Sequence, residues 1–81
     1  MNHFDIIKFE NISIMAKIQL NGKKIKISSK FGVKNLIKKY KLNENKIAIE
    51  LNGTILPKPM YKNKILKDKD RIEIVQFIGG G

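Results

Sequence analysis

From Ala16 onward apolar and polar positions alternate, with Ile18 and Leu20 before Asn21-Gly22 and Ile25 and Ile27 after it. This alternation predicts a β-hairpin with one apolar face, and Asn-Gly supplies the positive φ that a tight hairpin turn requires. The period then changes. Val33, Leu36, Ile37 and Tyr40 fall at i, i+3, i+4 and i+7, with Lys34, Lys38, Lys39 and Lys41 on the other side. That spacing predicts an amphipathic helix of roughly two to three turns, with Ser28 or Ser29 as its cap. Alternation returns at Ile47, Ile49 and Leu51, which run into a second Asn-Gly at Asn52-Gly53 and a short edge strand, Thr54 to Leu56, stopped by Pro57 and Pro59. After a connecting stretch with Met60, Tyr61, Ile65 and Leu66, the chain turns at Asp68 to Asp70 and runs out as a last strand through Ile72 and Ile74. A helix too short to stand alone must bury its apolar face on the sheet these strands make. The expected fold class is α+β, a mixed sheet of about four to five strands with one helix packed across it.

The last strand is apolar on both sides. If Ile72 and Ile74 face the helix, Glu73, Val75 and Phe77 face away, and two large apolar side chains then stand near solvent. Such a pair, followed by Ile78 and the run Gly79, Gly80, Gly81, suits a docking anchor at the root of a tail. Cover from residues 1–15 or from the connecting stretch is the structural alternative. Glycine lets a backbone enter a narrow channel of another protein and deliver a terminal carboxylate there. The competing reading of the glycines is an inert tail.

Composition narrows the chemistry. Among 81 residues there is no Cys and only one His, so no disulfide, thiolate nucleophile or Cys-based zinc site exists and no metal site is expected. Lys and Arg number 17 against 7 acidic residues, a net charge of +10, which favours an acidic partner surface or nucleic acid unless the lysines are simply a solvated surface. No RNP-like aromatic motif or helix-turn-helix pattern accompanies the charge, so nucleic acid is kept only as a competing partner. Residues 1–15 carry Lys8 against Asp5 and Glu10, and the basic charge lies in the rest of the chain. This segment reads as an upstream start before Met15, a loose arm, or an extra strand through Ile12 and Ile14. No stretch approaches the roughly 20 apolar residues of a membrane span, and cytoplasm is the expected compartment.

With these elements in order, the chain from Ala16 to Gly81 resembles the ThiS family of sulfur carriers, which belong to the ubiquitin-like β-grasp class. The resemblance rests on IQLNGKKIKI, VKNLIKKY, KIAIELNG, Pro57 and Tyr61 with Leu66 following, DKDRIEI, and VQFIGGG. It implies three parts: an extension over 1–15, a β-grasp domain over 16–78 and a flexible glycine tail over 79–81. It also implies a protein substrate rather than an enzyme, with no permanently bound cofactor. A ThiF-like adenylating enzyme would use MgATP on the Gly81 carboxylate, and a sulfur donor such as a cysteine desulfurase would replace AMP with sulfur. The resulting thiocarboxylate would serve thiazole synthase in thiamine biosynthesis. On the same analogy Gly79 and Gly80 thread the partner's channel, while Val75, Phe77 and Ile78 dock.

Two departures from the family pattern carry expectations of their own. The turn that commonly reads Asp-Gly-Asp is here Asp68-Lys69-Asp70, which implies a turn without positive φ. Three glycines stand at the end in place of two, adding reach. Close rivals share fold and chemistry but deliver sulfur to molybdopterin or tRNA, or attach the protein itself to lysines as a modifier. A small basic RNA-binding module is the rival from another class.

Overall fold

The structure, a computed structural model, describes residues 15–78. The proposed strand through Ile12 and Ile14 and the tail glycines Gly79, Gly80 and Gly81 lie outside the described residues. Five strands, β1 (Ala16–Leu20), β2 (Lys23–Ile27), β3 (Ile47–Leu51), β4 (Thr54–Ile55) and β5 (Arg71–Gln76), accompany one helix, α1 (Val33–Lys39). The sheet order is β2-β1-β5-β3-β4. Only the β1–β5 pair is parallel; β1–β2, β3–β5 and β3–β4 are antiparallel. The expected mixed sheet with a single helix across it is therefore present. The last strand lies between the two hairpins.

Alternation decides which face is buried. Ile18, Ile27, Ile47, Ile49 and Ile72 share the inner face, where Val33 and Leu36 of α1 meet them, and all seven are buried. Tyr61 and Leu66 from the connecting stretch close the remaining side. Burial raises the Tyr61 phenol above its ordinary pKa of 10.0, with the Glu44 charge adding to the rise and a backbone hydrogen bond with Ile49 opposing it. The stretch is laid along the start of α1 by backbone bonds from Val33 N–H to Lys64 O (2.9 Å) and from Leu66 N–H to Phe31 O (2.9 Å). Gly32 lies at that approach. A Cβ there would stand 2.6 Å from the Lys64 carbonyl oxygen, so only glycine fits.

Gly32 is also where the helix begins, and Ser28 and Ser29 do not cap it. The Gly32 N–H instead donates to the Asn35 side chain at 2.8 Å, so the cap is reached from inside the first turn. The other end differs from expectation as well. Tyr40 follows the last helical residue and is exposed, its ring beneath the Lys39 ammonium at 5.9 Å from the centroid. Lys41 adopts φ 54, Lys41 N–H bonds Lys38 O and Leu42 N–H bonds Ile37 O, which is a Schellman closure. That reversal turns partly buried Leu42 onto the core, in the place that periodicity assigned to Tyr40.

Both Asn-Gly turns do more than reverse the chain. Asn21 and Asn52 have φ 48 and 53, as these turns require, and both side chains reach β5. Asn21 Oδ1 accepts from Ile74 N–H (2.7 Å) and its amide donates to Ile74 O (3.2 Å), extending the β1–β5 ladder past the end of β1. Asn52 Oδ1 accepts from Arg71 N–H at 2.8 Å while its amide donates to Asp70 Oδ1 at 2.9 Å. Asp70, a buried acid, uses its second oxygen to accept from Lys67 N–H at 2.8 Å.

The turn before β5 corrects the expectation from Asp68-Lys69-Asp70. Lys69 has φ 71, so the chain keeps the left-handed turn without the glycine. Its surroundings hold it there: Lys69 N–H donates to Lys17 O (2.7 Å), Lys17 N–H donates to Asp68 Oδ1 (2.8 Å), and Asp70 N–H donates to Lys67 O (3.0 Å).

Two stability outcomes follow. Asn52→Gly preserves the turn conformation but removes both side-chain bonds, leaving buried Asp70 short of a donor, and a loss of about 2 kcal/mol is expected in urea unfolding. Lys69→Gly relieves the left-handed strain at some cost in chain entropy, and a gain of up to about 1 kcal/mol is expected as a higher Tm.

Candidate functional site: the open face of the sheet

Among the described residues, no helix lies over the face of the sheet opposite α1. By register it presents Lys24 and Lys26 from β2, Lys17 and Gln19 from β1, Arg71, Glu73 and Val75 from β5, and Ala48 and Glu50 from β3. Val75 stands opposite Ala48, and the Phe77 N–H continues the ladder by donating to Lys46 O at 2.8 Å. The parity of the last strand is as expected, with Ile72 fully buried and Ile74 half-buried, whereas Val75 is 59% and Phe77 55% exposed; cover by residues 1–15 falls, but for Met15, outside the described residues. The connecting stretch does not cover them. Ile78 is 94% exposed as the chain leaves the sheet.

The end of β5 and the residue after it therefore carry an apolar step, Val75 and Phe77, just before Ile78 and Gly79. Residues Gly79, Gly80 and Gly81, to which the tail chemistry was assigned, lie outside the described residues. Among the described residues no three His, Asp or Glu side chains gather as a metal site, and no helix is long and apolar enough to cross a membrane. A groove of about 770 Å³ between the end of α1 and the Lys58–Met60 turn is lined by Lys34, Lys38, Lys58 and Lys62, with Glu44 as its acid. It lies on the helix side, away from the open face.

One feature of the face escaped the alternation pattern, because it depends on pairing. Glu50 and Glu73 stand directly opposite each other across β3 and β5, and both are exposed. The pattern put both residues on the outer side of their strands; only the register shows them as neighbours.

A five-strand mixed sheet in this order, one helix across it, and a central last strand leading from an exposed apolar step toward the chain end define a ubiquitin-like β-grasp carrier. The sequence model of the ThiS family matches residues 14–81, and the chain belongs to that family. With that membership it is a sulfur carrier of thiamine biosynthesis, acted on by other enzymes. It is 40% identical over 65 residues to the sulfur carrier protein ThiS of Bacillus subtilis, covering 79% of this chain and 98% of that one. A thiazole synthase of Paramagnetospirillum magneticum contains a stretch 37% identical over 65 residues, which is 80% of this chain and 20% of that protein. The crystal structure of the thiamine biosynthesis protein ThiS from Geobacter metallireducens superposes with a TM-score of 0.66 at 28% identity, covering 80% of this chain and 99% of that one.

Because Val75 and Phe77 sit outside the core, Val75→Ser with Phe77→Ser is expected to leave the free energy of unfolding within about 0.5 kcal/mol of the parent. Thermal or urea unfolding checks it.

Proposed function

We propose that the carboxylate of Gly81 is the reacting group, adenylated with MgATP by a ThiF-like enzyme. The terminal sulfur of a persulfide on a donor such as a cysteine desulfurase then displaces AMP, and a thiol reductant cleaves the S–S bond of the resulting acyl persulfide to leave the thiocarboxylate. The sulfur goes to thiazole synthase. The observation that carries this reading is the exposed Val75–Phe77 step at the root of the glycine run. It gives a partner something to grip while the tail enters the partner's site. The family match running to residue 81 supports the tail as part of the working unit.

The chemistry suits a protein with few reactive side chains. A carboxylate is a poor electrophile, and joining it to AMP, with loss of pyrophosphate, creates a good leaving group. The partner supplies the metal and the cations for the phosphates. The carrier supplies reach through Gly79 and Gly80, and recognition through Val75, Phe77 and Ile78. In this reading residues 16–78 form the carrier domain, 79–81 the tail, and residues 1–15 an extension to it. Cytoplasm, where MgATP and these enzymes would meet it, is the proposed compartment.

Delivery to thiazole synthase is preferred over molybdopterin or tRNA because a named thiazole synthase includes a similar stretch within its own chain. Intact-protein mass after incubation with ATP, the adenylating enzyme and a sulfur donor tests the reading. One sulfur in place of one oxygen is expected for the full chain and no change for a chain lacking Gly81, with equal Tm values for the two. An unchanged mass with an enzyme of demonstrated activity would overturn it.

A further inference from the structure

Acidic residues are scarce in this chain, 7 against 17 basic ones, and both described aspartates are committed to turns. Asp68 accepts from the Lys17 N–H, and buried Asp70 accepts from Asn52 and Lys67. Glu44 lies in the turn before β3, away from the open face. Glu50 and Glu73 remain, and the register sets them directly opposite each other on exposed strands. Like charges in that position destabilise a sheet. Arg71 shares the face two residues back on β5, yet the pair itself is two carboxylates side by side.

The same face concentrates the opposite charge elsewhere. Lys17 stands opposite Lys26, and Gln19 opposite Lys24, on the β1–β2 flank. Across the sheet the outer face thus passes from cations on β2 and β1, with Arg71 at the start of β5, to the acidic pair on β5 and β3. The next pair along those two strands is Ala48 with Val75, and Phe77 lies beyond. Charge segregated in this way works against the free sheet and in favour of a complementary surface.

The geometry points to Glu50 and Glu73 as a receptor for an arginine side chain of the adenylating partner, set beside the apolar step that seats Val75 and Phe77. A guanidinium is planar and offers several N–H donors in a fixed fork, so one group can bridge two neighbouring carboxylates. Docking of the apolar step would exclude water beside it and strengthen those bonds. The partner surface would carry acidic groups where it faces Lys17 and Lys26. Both glutamates are specificity determinants outside the reacting atoms, and this inference rests on the carrier reading above.

The test uses the full chain and an adenylating enzyme that converts it in the mass assay. With Glu50→Gln and Glu73→Gln together, the KM for the carrier in ATP–pyrophosphate exchange is expected to rise about 10-fold or more with kcat within about twofold. Over the same pair of substitutions Tm is expected to rise by roughly 2–5 °C, because the repulsion is gone. Glu44→Gln, an acid removed elsewhere, is expected to leave KM unchanged. Overturning results are an unchanged KM in the double variant, a fall in its Tm, or an equal KM rise in Glu44→Gln. A parent chain that no adenylating enzyme modifies overturns the carrier reading itself, and is distinguished by the mass assay alone.

Discussion

The fold depends on how β5 is held. It is the last strand in sequence yet lies between the two hairpins, parallel to β1 and antiparallel to β3, so without it the sheet falls into two unconnected pairs. Neither hairpin is large enough to be stable by itself. The parallel register with β1 spans only Gln19–Leu20 against Arg71–Ile72, and Asn21 lengthens it by binding both backbone groups of Ile74. Asn52 does the corresponding work at the start of β5, through Arg71 and buried Asp70. A turn residue in each hairpin thus becomes a clamp on the strand between them.

Much of this was legible in the sequence because the two hydrophobic periods are clean. Ile18, Ile27, Ile47, Ile49 and Ile72 are inside, as alternation assigned them, and Val33 and Leu36 face them from a helix in the expected place. What was illegible depends on the paths of backbone polar groups. The helix start is decided by Asn35 and by the room at Gly32 rather than by a preceding serine. Its end is decided by Lys41 in a left-handed conformation, which exchanges Leu42 for Tyr40 in the packing. Lysine in place of the glycine common at this turn suggested a conformation without positive φ at Lys69, but the bonds to Lys17 and within the turn outweigh a strain of about 1–2 kcal/mol. The site divided in the same way. Exposure of Val75 and Phe77 followed from parity, whereas the Glu50–Glu73 pair required a register that no single strand contains.

The two faces of the sheet do different work. Apolar contact with α1, Tyr61 and Leu66 stabilises one, so the other can hold residues that do nothing for folding. On that outer face lie opposed lysines and opposed glutamates, arranged against the stability of the isolated sheet, beside an exposed valine and phenylalanine. The cost is small per pair and is spread over positions where solvent screens charge.

The central place of β5 also has a consequence during synthesis. As the chain leaves the ribosome, the two hairpins and the helix emerge before the strand that joins them, so the growing polypeptide has four unsatisfied sheet edges and no continuous core. Ile72 must arrive before the inner face can close. Val75 and Phe77 emerge immediately afterwards, so the exposed apolar step becomes available in the same few residues of translation that complete the architecture. On the proposed carrier reading, an unfinished chain has nothing to offer an activating enzyme, and the order of the strands by itself couples maturity to recognition.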